Sequence, residues 1–257
     1  MAASAIQAAT DALPPEARNY NLVFVDEFDT LDLDRAGPSP VATNHKWYEG
    51  VWFSHERSPT DCFAVRESAL ELQWRRDRRA SDCSISTFSR NHVSYNAWRY
   101  GYFEARMKWP SVLGAWPAFW LTSVPDVLER SPSDSGEIDI FEGQGSEPRT
   151  FFGTIHRWRG PQELESTSRR NRFPLPPGTD FGSYHRYGLL WVPGRVTWYF
   201  DGVPLHSETT YSVFDREKFL IVIGMQEGAD WTSGDLTGVT AQTLSLTVDW
   251  VRVWQKP

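Results

Sequence analysis

The chain has 257 residues, 40% of them hydrophobic and 23% charged, with a net charge of −7. That is enough apolar material for one full core, and the acidic balance speaks against a nucleic acid or an anionic membrane as partner. No run approaches the roughly 18 apolar residues of a membrane-spanning helix.

Residues 1–20, MAASAIQAATDALPPEARNY, carry neither a basic stretch nor a continuous apolar stretch, so they read as a flexible lead-in without a signal peptide. Residues 21–257 are expected to form a single domain. Its first strand is Leu22–Val25, running into Asp26, Glu27 and Phe28. A long surface loop follows over 29–44, where Asp, Pro, Gly, Ser and Thr dominate. Period-two patterns then take over. Leu70, Leu72 and Trp74 alternate with Glu71 and Gln73, and Tyr102, Glu104, Arg106 and Lys108 alternate with Phe103, Ala105 and Met107. Arg195–Phe200 lies between two turn signals, Pro193-Gly194 and Asp201-Gly202, and belongs to a hairpin or meander. In the last strand Leu244, Leu246, Val248 and Trp250 keep one parity while Val251 and Val253 keep the other, which predicts a bulge near Asp249–Val251.

No segment holds a 3.6-residue period over ten or more positions. Many short strands at 8 to 15 residue spacing predict an all-β antiparallel sandwich whose concave face forms a groove for a linear chain. Two cysteines, Cys62 and Cys83, form either one disulfide or two buried thiols. The 13 Trp are the outlying number. Most must be core, and the rest suit a groove that stacks on the apolar faces of sugars.

Gly136-Glu137-Ile138-Asp139-Ile140-Phe141-Glu142 is the decisive segment. On a regular strand Glu137, Asp139 and Phe141 share a face, which would drive Glu142 into the core at high cost. A β-bulge at Ile140-Phe141 returns all three acids to one face and turns the apolar residues inward, and is favoured over a strand that simply ends before Glu142 and leaves that acid in a loop. The Cα atoms of Glu137 and Glu142 would then stand about 13 Å apart, four pleat steps. Side chains leaning together on a curved strand narrow this to the ~5–5.5 Å carboxyl spacing of a retaining glycosidase. Crowding of like charges raises at least one pKa, as a general acid needs. Which Glu would play which part stays open on these grounds. An acidic strand that discourages edge pairing, or a Ca2+ site, would use the same residues.

GEIDIFE resembles the E-x-D-x-x-E signature of glycoside hydrolase family 16, in the bulged form of laminarinase-like members. LVFVDEFD, ISTFS with RYGYFEARMKWP, GAWPAFWLT, HRYGLLWVPGRVTWYFDGVPL and VDWVRVWQ resemble the family's other strands, in the family's order. The resemblance implies a jelly-roll, concanavalin-like sandwich and a retaining, endo-acting hydrolase of β-1,3- or mixed β-1,3/1,4-glucan. It implies Glu137 as nucleophile, Glu142 as acid/base and Asp139 as the residue that orients Glu137. Trp116 and Trp120, four apart on one strand, are expected to stack on sugar, with His156 near the scissile bond and Trp231 at the groove edge. Asp249 matches a position that holds a structural Ca2+ in many relatives, whereas the chemistry itself calls for no cofactor. The chain departs from the family at 90–99 and 226–231.

Other readings keep the mechanism and change the polymer or the acceptor: an agar or carrageenan hydrolase, or a transglycosylase. A lectin-like binding module would share the fold but has no need of three acids. The expected partner is a polysaccharide, with no nucleic acid and no membrane. The protein is expected to be a monomer, secreted or periplasmic.

Overall fold

The computed structural model describes residues 13–35, 44–50, 58–59, 61–77, 82–89, 94–124, 134–159, 166–227 and 241–257. Two sheets stack face to face. One contains β1 (Asn21–Asp26), β4 (Phe63–Arg66), β5 (Ala69–Arg75), β7 (Gly101–Lys108) and β12 (His185–Val192). With them are β13 (Arg195–Phe200), β14 (Val203–Thr209) and β16 (Thr243–Gln255). Its order is β14-β13-β12-β7-β16-β5-β4, with β1 paired to the far end of β16. The other contains β2 (Leu33–Asp34), β3 (Trp47–Glu49), β6 (Asp82–Ser86) and β8 (Ala115–Ser123). It is completed by β9 (Asp134–Gly143), β10 (Thr150–Arg159), β11 (Thr167–Pro174) and β15 (Phe219–Glu227). Its order is β11-β10-β9-β8-β15-β6-β3-β2, antiparallel except for β2 on β3. This is the expected antiparallel sandwich.

The core between the sheets follows the alternation. Phe103, Ala105 and Met107 of β7, Phe119 and Leu121 of β8, Ile138, Ile140 and Phe141 of β9 and Ile221 and Ile223 of β15 are buried in it. The aromatic excess goes mostly here: Trp47, Trp109, Trp191 and Trp198 are fully buried. Each such side chain removes 150–250 Å² from water, the dominant stabilising term of a fold without helical layers.

The lead-in ends earlier than expected. Residues 13–20 pack on the outer face of the first sheet through a 3-10 turn, Pro15–Ala17. Leu13 and Ala17 are buried there with Tyr102, Leu190, Tyr199 and Trp254. That cover explains why Tyr102 and Glu104, on the outward parity of β7, are 0% and 3% exposed. The flexibility expected of residues 1–12 falls outside the described residues.

Cys62 and Cys83 form a disulfide with a Cα–Cα distance of 5.9 Å. Cys62 precedes β4 in one sheet and Cys83 lies in β6 of the other, so the bond ties the sheets together. For the 21-residue separation, it contributes about 3 kcal/mol on the chain-entropy argument.

Both predicted bulges are present. Along β16 the register with β7 steps from Val248–Met107 to Trp250–Arg106, leaving Asp249 as the extra residue. Along β9 the register with β10 steps from Glu137–His156 and Asp139–Thr154 to Glu142–Phe152. Ile140 and Phe141 together therefore face one residue, Gly153.

Candidate active site

The β9 bulge does what the parity argument requires. Ile138, Ile140 and Phe141 point into the core, and Glu137 and Glu142 stay partly exposed on the open face of the second sheet. Asp139 lies between them, its side chain 4% exposed. Two features hold the bulge. Trp198 of the opposite sheet donates its indole N–H to the Asp139 carbonyl at 2.8 Å. Gly153 makes room for that ring, since a Cβ there would lie 2.4 Å from Trp198 Nε1. A side chain at 153 would therefore displace the indole that anchors Asp139.

The neighbouring strands deliver the rest by register. On β8, Thr122 lies opposite Glu137, Trp120 opposite Asp139 and Ala118 opposite Glu142. On β10, His156 lies opposite Glu137. Its Nε2 stands 3.0 Å from Asp139 Oδ2 and 3.6 Å from Glu137 Oε1, and its Nδ1 2.5 Å from Ser168 Oγ. When Asp139 is ionised, Nε2–H donates to it and Nδ1 accepts the serine proton. Trp116 donates its indole N–H to Glu142 Oε1 at 3.1 Å, and Trp158 donates its own to Glu137 Oε2 at 3.1 Å. Trp158 also stacks on His156, with ring centroids 4.7 Å apart and planes 10° off parallel.

Burial raises all three carboxyls, and the Asp139 charge adds to the rise at Glu137 and Glu142. Burial pushes Glu142 up to about 8, with the Asp139 charge adding to it and the Trp116 N–H opposing. Burial first, then Asp139, raises Glu137 well above the ordinary range, against His156 and the Trp158 N–H. Burial also raises Asp139, against hydrogen bonding and the Arg170 charge. Groups this close titrate as a unit and share protons.

Glu137, Asp139 and His156 bring donor atoms within 4.8 Å of one another, the one such convergence among the described residues. Their near contacts are hydrogen bonds among themselves and to Ser168 and Trp158, and we read the cluster as acid–base machinery and not as metal ligands. Asp249, the residue expected to hold Ca2+, has an arginine partner. It lies on the other sheet, 2.5 Å from Arg106 Nη1. Arg106 and Lys108 both sit 4.5 Å from the Tyr184 ring.

Of the expected groove residues, Trp116 and His156 touch the acids. Trp120 is on the same face, half-buried, with one side packed on the Phe88, Leu220 and Val222 cluster. Trp231 lies outside the described residues. Three further residues of the site, Trp158, Ser168 and Trp198, are not among those expected from sequence. Trp158 was readable: it follows His156 by two on the same strand and so must share its face. Ser168 and Trp198 come from other strands and left no local signal.

Residues 51–252 match the family model described as "Glycosyl hydrolases family 16". Over 93% of its length the chain is 27% identical to a "Beta-glucanase" of Rhodothermus marinus, covering 87% of that protein. It is 25% identical to "Glucan endo-1,3-beta-glucosidase A1" of Niallia circulans over 94% of the chain, spanning only 39% of that relative. In fold it matches the catalytic domain of an endo-1,3-beta-glucanase (laminarinase) from Thermotoga petrophila RKU-1, with a TM-score of 0.74 at 24% identity, over 92% of this chain and 98% of that one.

Proposed function

The chain belongs to glycosyl hydrolases family 16, and from that premise we propose that it is a retaining, endo-acting hydrolase of β-1,3- or mixed β-1,3/1,4-glucan. The observation that carries the proposal is the β9 bulge, which sets Glu137, Asp139 and Glu142 on one face with their pKa values raised together. The names of the relatives supply the polymer, "Beta-glucanase" and "Glucan endo-1,3-beta-glucosidase A1".

In this reading Glu142, protonated at neutral pH because burial holds it near 8, gives its proton to the leaving glycosidic oxygen. Glu137, its anion favoured by the Trp158 N–H and His156, attacks the anomeric carbon and forms a glycosyl ester. Glu142, now ionised, takes a proton from water, the water attacks the same carbon, and Glu137 departs with the electron pair. Asp139, bonded to His156 and anchored through its carbonyl, fixes the orientation of both. The open face of the second sheet, with Trp116 and Trp120, forms the sugar groove. The protein acts as a monomer on polysaccharide outside the cytoplasm, a location the Cys62–Cys83 disulfide favours.

The test is a panel of laminarin, lichenan, agarose, carrageenan and xyloglucan with reducing-end release as readout. Rapid release of mid-sized oligosaccharides from laminarin or lichenan is expected. Cleavage confined to agarose or carrageenan would move the substrate class and leave the mechanism standing. Binding without cleavage would remove the enzyme reading.

A further inference from the structure

We infer that Trp158 is a positioning residue of the reaction, whose indole N–H tunes Glu137 as nucleophile and as leaving group. The inference rests on the double-displacement reading of the site and adds to it a donor from the neighbouring strand. Four observations place the donor. Trp158 follows His156 by two residues on β10, so both side chains stand on the open face beside β9. Its Nε1–H is directed at Glu137 Oε2, at 3.1 Å, while His156 Nε2 lies 3.6 Å from the other oxygen, Oε1. The ring is held flat against His156, so its rotation is restricted by stacking as well as by the hydrogen bond. Glu142 has a corresponding indole donor, Trp116 at 3.1 Å, so each reacting carboxyl has its own.

The chemistry follows from which form of the carboxyl an N–H prefers. A hydrogen bond from a neutral donor is stronger to a carboxylate than to an ester or an acid. In the first step the Glu137 anion forms a bond from one oxygen to the anomeric carbon, and charge leaves the carboxyl. The Trp158 bond therefore weakens on the way to the ester. In the second step the C–O bond breaks, its electron pair returns to Glu137, and the Trp158 bond strengthens as that charge develops. The donor thus keeps Glu137 ionised at lower pH and assists release of the sugar from the ester. The other charged groups around Glu137 are Asp139 and Glu142 on its own strand, which oppose its ionisation, and His156 on β10, which favours it. Arg170 of β11 acts on Asp139 and Glu142. From β8 the facing residue is Thr122, without charge.

Trp158→Phe keeps an aromatic ring against His156 and deletes the N–H. The expected result is an acidic limb of kcat/KM displaced upward by about one pH unit, the size of one hydrogen bond to a charged group. On an aryl glycoside with a good leaving group, the same variant should show a burst of product with kcat and KM lowered together, because the ester accumulates. Trp116→Phe is the sign control: it should move the alkaline limb upward and leave the acidic limb in place. If Trp158→Phe lowers rates evenly at all pH values, or changes only KM, the ring is a platform and the inference falls. A second measurement does not depend on how the variant folds. In the unmutated enzyme the Trp158 indole N–H resonance should titrate with the midpoint of the acidic limb, and a flat resonance overturns the role. Product stereochemistry separates the two levels. Inversion by the unmutated enzyme removes the double displacement itself, whereas retention with an unmoved limb removes only the part given to Trp158.

Discussion

The bulges of β16 and β9 carry carboxylates into opposite circumstances. At the β16 bulge Asp249 meets Arg106, and nearby on the same sheet Arg252 grips Glu27 through two N–H bonds, at 2.9 and 3.1 Å. At the β9 bulge Glu137 and Glu142 are met by two indoles and a histidine, each a weaker counterweight than a guanidinium. The contrast is sharpest within β9 itself. Asp134, three residues before Glu137, accepts from Arg157 at 2.6 and 2.8 Å and from Arg216 at 2.8 Å, which hold its pKa low. Along one strand an arginine pair holds the less buried acid ionised, whereas deeper burial with only indole donors leaves acids able to exchange a proton.

The largest way to break that comparison is to remove the exchangeable acids one at a time. Glu137→Ala should lower turnover of every substrate by about 10⁴-fold or more, as losing a nucleophile does. Added azide should restore turnover and give a glycosyl azide of inverted configuration. Glu142→Ala should keep much of its activity on substrates with good leaving groups, and its azide product should retain configuration. The reverse assignment of products would exchange the two roles.

A smaller effect sharpens the electrostatic side. Glu142 titrates near 8 in the folded chain, against 4.5 for an unperturbed glutamate. A raised carboxyl pKa means the folded state binds more protons than the unfolded state between those values. Its contribution to stability is therefore complete below about 4.5 and is lost as pH rises through about 8. Glu142→Gln, a permanent mimic of the protonated form, should melt several degrees above the unmutated protein at pH 8 to 9 and close to it at pH 5. A Tm difference independent of pH would show that burial is not what raises Glu142.

The smallest effect tests the compensated bulge. Arg106→Gln should cost about 1 kcal/mol, since both partners are partly solvated, and lower Tm by about 2–4 °C with activity unchanged. Chelation with EDTA should leave the Tm of the unmutated protein where it was. A fall in Tm restored by Ca2+ would return Asp249 to its expected role.

Much of this was legible in the chain because parity is a strict rule. On a continuous strand Glu137, Asp139 and Glu142 cannot share a face without an extra residue, so the spacing favoured a bulge over a strand that ends before Glu142, and the parity switch before Val251 pointed to a second one. What stayed hidden needed a partner distant in sequence. The Arg106 partner of Asp249, 143 residues away, is invisible from its neighbourhood. Residues 13–20 read as loose because the surface that buries Leu13 and Ala17 is assembled from β7, β12, β13 and β16. The two thiols fixed a possible pairing but not its formation. The strand position of Trp120 was readable, but its packing against Phe88 and Val222 is not local.

The Trp198 bond to the Asp139 carbonyl also bears on how such a protein can be changed. Trp198 sits on β13, 59 residues from Asp139, and stacks on the exposed His206 of β14 at a centroid distance of 6.4 Å. The edge strand β14 of the first sheet is thereby connected through Trp198 to β9. A chimera that took β9 from one parent and β12 to β14 from another would inherit a reactive strand with a mismatched anchor. Recombination breakpoints for engineering should keep residues 134–159 and 195–200 from the same parent, even though no stretch of sequence joins them.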